Sequence, residues 1–210
     1  MKILIVKPSS LGDVVHALPF LKSIKTAFRD APISWVISKN LREIIEGNPL
    51  ISRIIEIDKE SWKKPSMIPK TSREIINLVK TLRSDHFDMV IDLQGLLRSG
   101  LITFFSNSPM KIGFQHAREG SRVFYNKKIP VNGTLHAVDK CLEIAKFLNA
   151  QTEHVEFPLH VDDAALQEVK NLLGNISDYV VIVPSARWET KRWMPENFGS
   201  LVSRLDLPCI

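Results

Sequence analysis

The chain has 210 residues, 44% of them apolar and 24% charged, which suits a globular protein with a buried core, so intrinsic disorder is not the default reading. Twenty-eight Lys and Arg against 23 Asp and Glu give a net charge of +5, a moderate excess that leaves nucleic acid, an anionic membrane surface and a phosphorylated substrate open as partners. Cys141 and Cys209 stand far apart without ligand-like spacing, and no run approaches the roughly 18 to 20 apolar residues of a spanning helix, so the expectation is a cytosolic protein, neither exported nor integral, without a disulfide framework or a zinc site.

The first element is the apolar run "KILIVK" at 2–7, read as a buried strand, followed by "PSSLGD" and by helical periodicity over "DVVHALPFLKSIKTAF" at 13–28. In that loop Gly12 permits a tight turn, and backbone N–H groups at the helix entrance can bind an anion. Neither a Walker A loop nor GxGxxG is present, so a nucleotide-phosphate cradle is disfavoured at this turn. Asp13 occupies the place of a helix N-cap and equally suits a general base beyond a strand end. His16 either orients Asp13 or packs on the sheet, and packing is the preferred reading.

Further Ile- and Val-rich strands follow at 33–38, 53–57 and 88–93, with helical patterns at 72–84 and 134–149. The long irregular stretch "DKESWKKPSMIPKT" at 58–71 carries two prolines and four lysines, and loops of that length are usually functional or mobile. After the polar, Pro-bearing passage beginning at residue 149, a second series opens. It has a helix at 163–175, a strand "YVVIVP" at 179–184, a helix "MPENFGSLVSRLD" at 194–206 and, in "LPCI", the first residues of another buried strand.

Strands alternating with helices imply βαβ units and a parallel sheet covered on both faces, with ligands beyond the carboxyl ends of the strands. Residues 1–155 are read as one domain and 156–210 as the opening of a second; a sheet of one or two strands cannot close a core, so the chain reads as part of a longer protein. The loop after the fifth strand, "PSARWETKRWMPENF" at 184–198, holds Ser185, Arg187, Lys191 and Arg192 beside Trp188 and Trp193. It is either a diphosphate clamp or a solvated basic turn anchored by two tryptophans.

"ILIVKPSSLGDVVHALPFL", "DLQGLLRSG", "AREGSRVFYN" and "PSARWETKRWMPENF" together resemble the family 9 glycosyltransferases, the lipopolysaccharide heptosyltransferases, and the first segment is most similar to the heptosyltransferase I branch. The resemblance implies a GT-B fold: an N-terminal Rossmann-like domain that binds the acceptor, and the start of a second that binds the donor. It implies inverting transfer of heptose from ADP-L-glycero-D-manno-heptose to Kdo2-lipid A, with Asp13 as the base and no covalent intermediate. No cofactor and no metal are implied, in line with the absence of an Asp-x-Asp motif.

Ser185, Arg187 and Lys191 would bind the donor, Lys191 stabilising the leaving diphosphate. On the acceptor side the resemblance points to Lys63, Lys64 and Arg118, with Arg122 added as a neighbouring cation; Ser9, Ser10 and Gly12 either contact the acceptor or order the turn. Asp92 and Gln94 are read as supporting the cleft. Expected partners are ADP-heptose, Kdo2-lipid A and the cytoplasmic face of the inner membrane, not nucleic acid, since no RNP-type aromatics or helix-turn-helix pattern occurs. Heptosyltransferase II, another family 9 transferase and a non-catalytic acceptor-binding module are the alternatives.

Overall fold

The computed structural model describes residues 1–58, 68–186 and 188–210. Six strands, β1 (Ile3–Val6), β2 (Ile33–Ser38), β3 (Arg53–Ile57), β4 (Met89–Asp92), β5 (Met110–Phe114) and β6 (Lys127–Ile129), form one all-parallel sheet in the order β3-β2-β1-β4-β5-β6. This is the doubly wound Rossmann order, and chain direction across the sheet reverses between β1 and β4. Loops leaving those two strands therefore diverge and open a crevice.

Among the described residues, five α-helices belong to this sheet: α1 (Leu11–His16), α2 (Leu18–Ala27), α3 (Ile68–Ser84), α4 (Leu97–Phe105) and α5 (Ala137–Phe147). β1 and β2 are buried at every position because both faces are covered, which is why they read as continuous apolar runs. Ile3, Ile5, Trp35, Ile37 and Ile91 pack on one face with Val14 of α1, Leu21 of α2 and Ile144 of α5. Leu4, Val6, Val36 and Val90 pack on the other with Leu82 of α3 and Ile102 of α4. Each such side chain, fully buried, contributes about 1.5–3 kcal/mol.

The helix expected over 13–28 is two helices. Pro19 stands in the first turn of α2, where its missing N–H leaves no bond to the turn before, and Ala17 closes α1 with its N–H on Val14 O at 3.0 Å. Gly12 lies inside α1 rather than in a turn, and a Cβ on it would meet nothing within 4 Å, so the close-approach reason for a glycine there is absent. α4, β5 and β6 had no counterpart in the sequence reading. α4 runs against the 3-10 turn Ser121–Phe124, and a Cβ at Gly100 would stand 2.7 Å from the Phe124 ring, so only glycine lets the two backbones approach this closely.

The chain divides into two compact units, Met1–His160 and Val161–Ile210. Residues up to His160 stay with the first unit: Asn48 donates from Nδ2 to Pro158 O at 2.6 Å, and Lys22 pairs with Glu156 at 3.0 Å. The second unit holds α6 (Asp163–Leu173), capped by Asp162 through a bond from Ala165 N at 2.6 Å, and α7 (Pro195–Val202). The strands expected at 179–184 and 207–210 meet as a single parallel bridge, Val180 with Cys209. They are not buried: Val181, Val183 and Ile210 are exposed, and no described residue of this unit is buried. Two strands and two helices cannot cover each other's apolar faces.

Candidate active site at the switch point

Where β1 and β4 diverge, a cleft of about 370 Å³ opens between the loops after β1, β4 and β5 and the start of α5. Asp13, Lys7, Arg118 and Lys140 line it, with His16, His116 and Cys141.

Asp13 is not the N-cap expected from its position. Ser10 is the cap, and Asp13, at the third helical position, reaches back so that its Oδ2 accepts from the Ser10 amide at 2.9 Å and the Ser10 hydroxyl at 2.7 Å. Both bonds fall on one oxygen; among the described residues no hydrogen bond goes to Oδ1, so one face of the carboxylate stays available in the cleft. Partial burial opposes its charge, but the Ser10 amide and hydroxyl, with the nearby charge of Lys7 and then His16, hold the carboxyl below its ordinary range. Asp13 is thus an ionised proton acceptor at neutral pH.

His16 lies edge-on to His136 at 4.9 Å, and its Nδ1 has no hydrogen-bond partner among the described residues. Packing rather than orientation of Asp13 describes it. Lys7 is buried and donates to Leu93 O at 3.0 Å, tying the end of β1 to the loop of β4. Lys140 donates to Gly133 O at 2.8 Å. Burial pushes the Cys141 thiol up to about 11, so it stands as a neutral thiol and not as a nucleophile.

The loop of β4 is built on Asp92, whose Oδ1 accepts from Gln94 N at 2.8 Å and Gly95 N at 3.0 Å, while Oδ2 accepts from the Tyr125 hydroxyl at 2.6 Å. Gln94 in turn accepts from Ser9 N at 3.3 Å, and Arg118 N donates to Gly95 O at 2.9 Å. The three loops are thereby laced together, as the supporting role expected of Asp92 and Gln94 requires.

Of the residues singled out from sequence, the cleft unites Asp13, His16, Gln94, Arg118 and, through its bonds to Asp13, Ser10. Ser9 lines a smaller adjoining hollow with Gln94 and Arg98. Arg122 lies exposed in the 3-10 turn Ser121–Phe124, outside the cleft. Ser185 and Lys191 are exposed in the second unit, Lys191 closing the turn Glu189–Lys191. Lys63, Lys64 and Arg187 lie outside the described residues. Lys7, His116 and Lys140 were missed; for Lys7 the available signal was a cation ending a fully buried strand at the switch point.

The sequence pattern of "Glycosyltransferase family 9 (heptosyltransferase)" matches residues 75–207. The chain belongs to glycosyltransferase family 9. Lipopolysaccharide heptosyltransferase 1 of Pseudomonas aeruginosa is 30% identical over 210 residues, covering 98% of this chain and 58% of that protein. The Escherichia coli K12 enzyme of the same name is 29% identical, with 98% and 65% covered. The solved structure of E. coli heptosyltransferase WaaC with ADP superposes with a TM-score of 0.78 at 28% identity, covering 98% of this chain and 64% of that one. This family 9 chain spans about three fifths of the length of the relatives it matches, and its first unit has the Rossmann-like, α/β architecture expected of a GT-B transferase. Among the described residues no helix is long and apolar enough to cross a membrane.

Proposed function

We propose that this chain carries the acceptor side of an inverting heptosyltransferase that moves heptose from ADP-L-glycero-D-manno-heptose to Kdo2-lipid A in building the lipopolysaccharide inner core. The observation that carries the reading is Asp13, ionised and held by Ser10, with an open carboxylate face in a cation-lined cleft at the sheet's switch point. Asp13 takes the proton of the acceptor hydroxyl as the oxygen forms its bond to the anomeric carbon; the bond from that carbon to the diphosphate breaks, and ADP leaves with the electron pair. No protein atom bonds the sugar, so configuration inverts.

The acceptor is anionic, and Arg118 supplies a fork suited to a carboxylate or phosphate. Ser185, Arg187 and Lys191 are assigned to the donor diphosphate, with Lys191 opposing the charge that develops on departure. The E. coli heptosyltransferase WaaC is solved both with ADP and with ADP-2-deoxy-2-fluoro heptose, which supports this donor class. No step in this chemistry calls for a cofactor or metal.

The test is ADP release from ADP-heptose by the full-length gene product, offered heptose-free Kdo2-lipid A and, separately, the same acceptor already bearing one heptose. Release with the first alone supports the reading. Release with the second alone reassigns the protein to heptosyltransferase II chemistry, and acceptor binding without release with either makes it a binding module. A lipid acceptor also sets the reaction at the cytoplasmic face of the inner membrane, reached by peripheral contact to which each basic residue near the surface adds about 1 kcal/mol. Flotation with anionic vesicles checks this: co-flotation lost at high salt supports it, and no co-flotation at low salt overturns it.

A further inference from the structure

Lys7 has no role in the mechanism above, yet its setting is unusual for a lysine. It ends β1 at the switch point with 7% of its surface exposed, where lysines are almost never buried unless paired. Among the described residues the one hydrogen bond of its ammonium goes to a neutral carbonyl, Leu93 O at 3.0 Å, which satisfies a proton without balancing a charge. Its backbone is fixed as well, since the fully buried Trp35 donates from Nε1 to Lys7 O at 3.2 Å. The ammonium is therefore held by Leu93 O and the backbone that carries it by Trp35, in the wall of the same cleft as Asp13.

We propose that Lys7 is the positioning residue for Asp13: clamped between the ends of β1 and β4, its ammonium holds a fixed positive charge beside the Asp13 carboxylate and keeps that carboxylate the proton acceptor of the cleft. The inference rests on the reading of Asp13 as base and names what maintains it. The other charged or titratable groups facing this space are His16 from α1, with His136 against it, His116 and Arg118 from the loop after β5, and Lys140 and Cys141 from α5. His116 and Arg118 are exposed and screened by solvent, Lys140 is directed to Gly133 O, and Cys141 is a neutral thiol. Lys7 is the buried cation of the set. Among charged neighbours it contributes most to lowering the Asp13 carboxyl, ahead of His16.

The experiment follows the Asp13 side-chain carboxyl carbon by NMR through an acid titration of the 210-residue chain, with the resonance assigned by its loss in Asp13→Asn. Lys7→Gln keeps an N–H for Leu93 O and removes the charge; Lys7→Met removes both; Lys7→Arg keeps the charge. The expected result is an upward shift of the Asp13 midpoint in the Gln and Met variants and little change in the Arg variant. An unmoved midpoint in Lys7→Gln, with a native amide spectrum, overturns the proposal, and the Gln variant decides if the Met variant does not fold. In the full-length enzyme the same substitution moves the acid limb of the pH–rate profile upward, which a purely structural role would not do. Because the titration reads the carboxyl directly, its outcome is independent of whether Asp13 proves to be the base in transfer.

Discussion

Asp13→Asn lowers the rate of ADP release by roughly 10²- to 10⁴-fold, the range a positioned general base contributes. The substitution isolates the chemistry from the fold. Asparagine keeps an oxygen that can accept from the Ser10 amide and hydroxyl, so the α1 cap survives and only the proton acceptor is lost. Unfolding midpoints should therefore move little while kcat collapses. The pH profile gives a second reading with a defined sign. Because the folded carboxyl lies below its usual value of 3.8, the wild-type rate loses its base only as pH falls through a point under 3.8, and across the neutral range Asp13 imposes no slope. The same displacement adds stability above 3.8 that is lost as pH falls through the lowered value. Rates unchanged by the substitution would leave Asp13 as the partner of a helix cap and nothing more.

How far such a site can be read in advance depends on where its residues draw their character. β1, β2 and α5 announce themselves because burial on both faces of a parallel sheet demands continuous or periodic apolar residues. α4 does not, since "LRSGLITFF" is poor in strong helix formers and owes its helix to packing against residues 121–124 through Gly100. β6 is three residues long with two exposed lysines, an edge strand recognisable only once β5 lies beside it. β5 is interrupted by Gly113, which looks like a break in sequence but makes room for the Tyr125 ring, with which any Cβ there would collide.

The site divides the same way. Asp13 was legible because its position after β1 in a doubly wound sheet is itself informative. Its partner Ser10 was legible as a polar turn residue, although which of the two caps the helix was settled only by backbone geometry. Lys7 was not, because a lysine ending a strand ordinarily marks the return to solvent, and its burial comes from the β4 loop folding over it 86 residues later. His116, Arg118 and Lys140 meet Asp13 only through the closure of β5 and α5 around the crevice, and of these Arg118 alone sat in a stretch whose family likeness named it.

Asp92→Ala should destabilise the first unit by on the order of 3 kcal/mol, since it strips acceptors from several buried donors at once. The carboxylate is fully buried, and its removal leaves the Tyr125 hydroxyl and the amides of Gln94 and Gly95 without their bonds. At about 2–4 °C per kcal/mol for a chain of this size, thermal unfolding should fall by roughly 6–12 °C. Asp92→Asn is milder, because one oxygen still serves both amides and the Tyr125 hydroxyl can turn to accept from the new amide. Burial raises the Asp92 carboxyl above its ordinary 3.8, outweighing the bonds from Tyr125, Gly95, Ser99 and Gln94 that favour the ion. The folded state then holds this proton more tightly than the unfolded chain, so the contribution of Asp92 to stability is complete below 3.8 and falls as pH rises through the raised value. Asparagine has no proton to lose. The stability gap between wild type and Asp92→Asn in urea should accordingly narrow as pH rises through that window, whereas the slopes of every other carboxylate cancel in the difference. A gap independent of pH would mean that folding leaves the Asp92 carboxyl at its ordinary value, and a gap that widens as pH rises would mean that the fold favours the ion and that the β4 wall of the cleft rests on a buried charge.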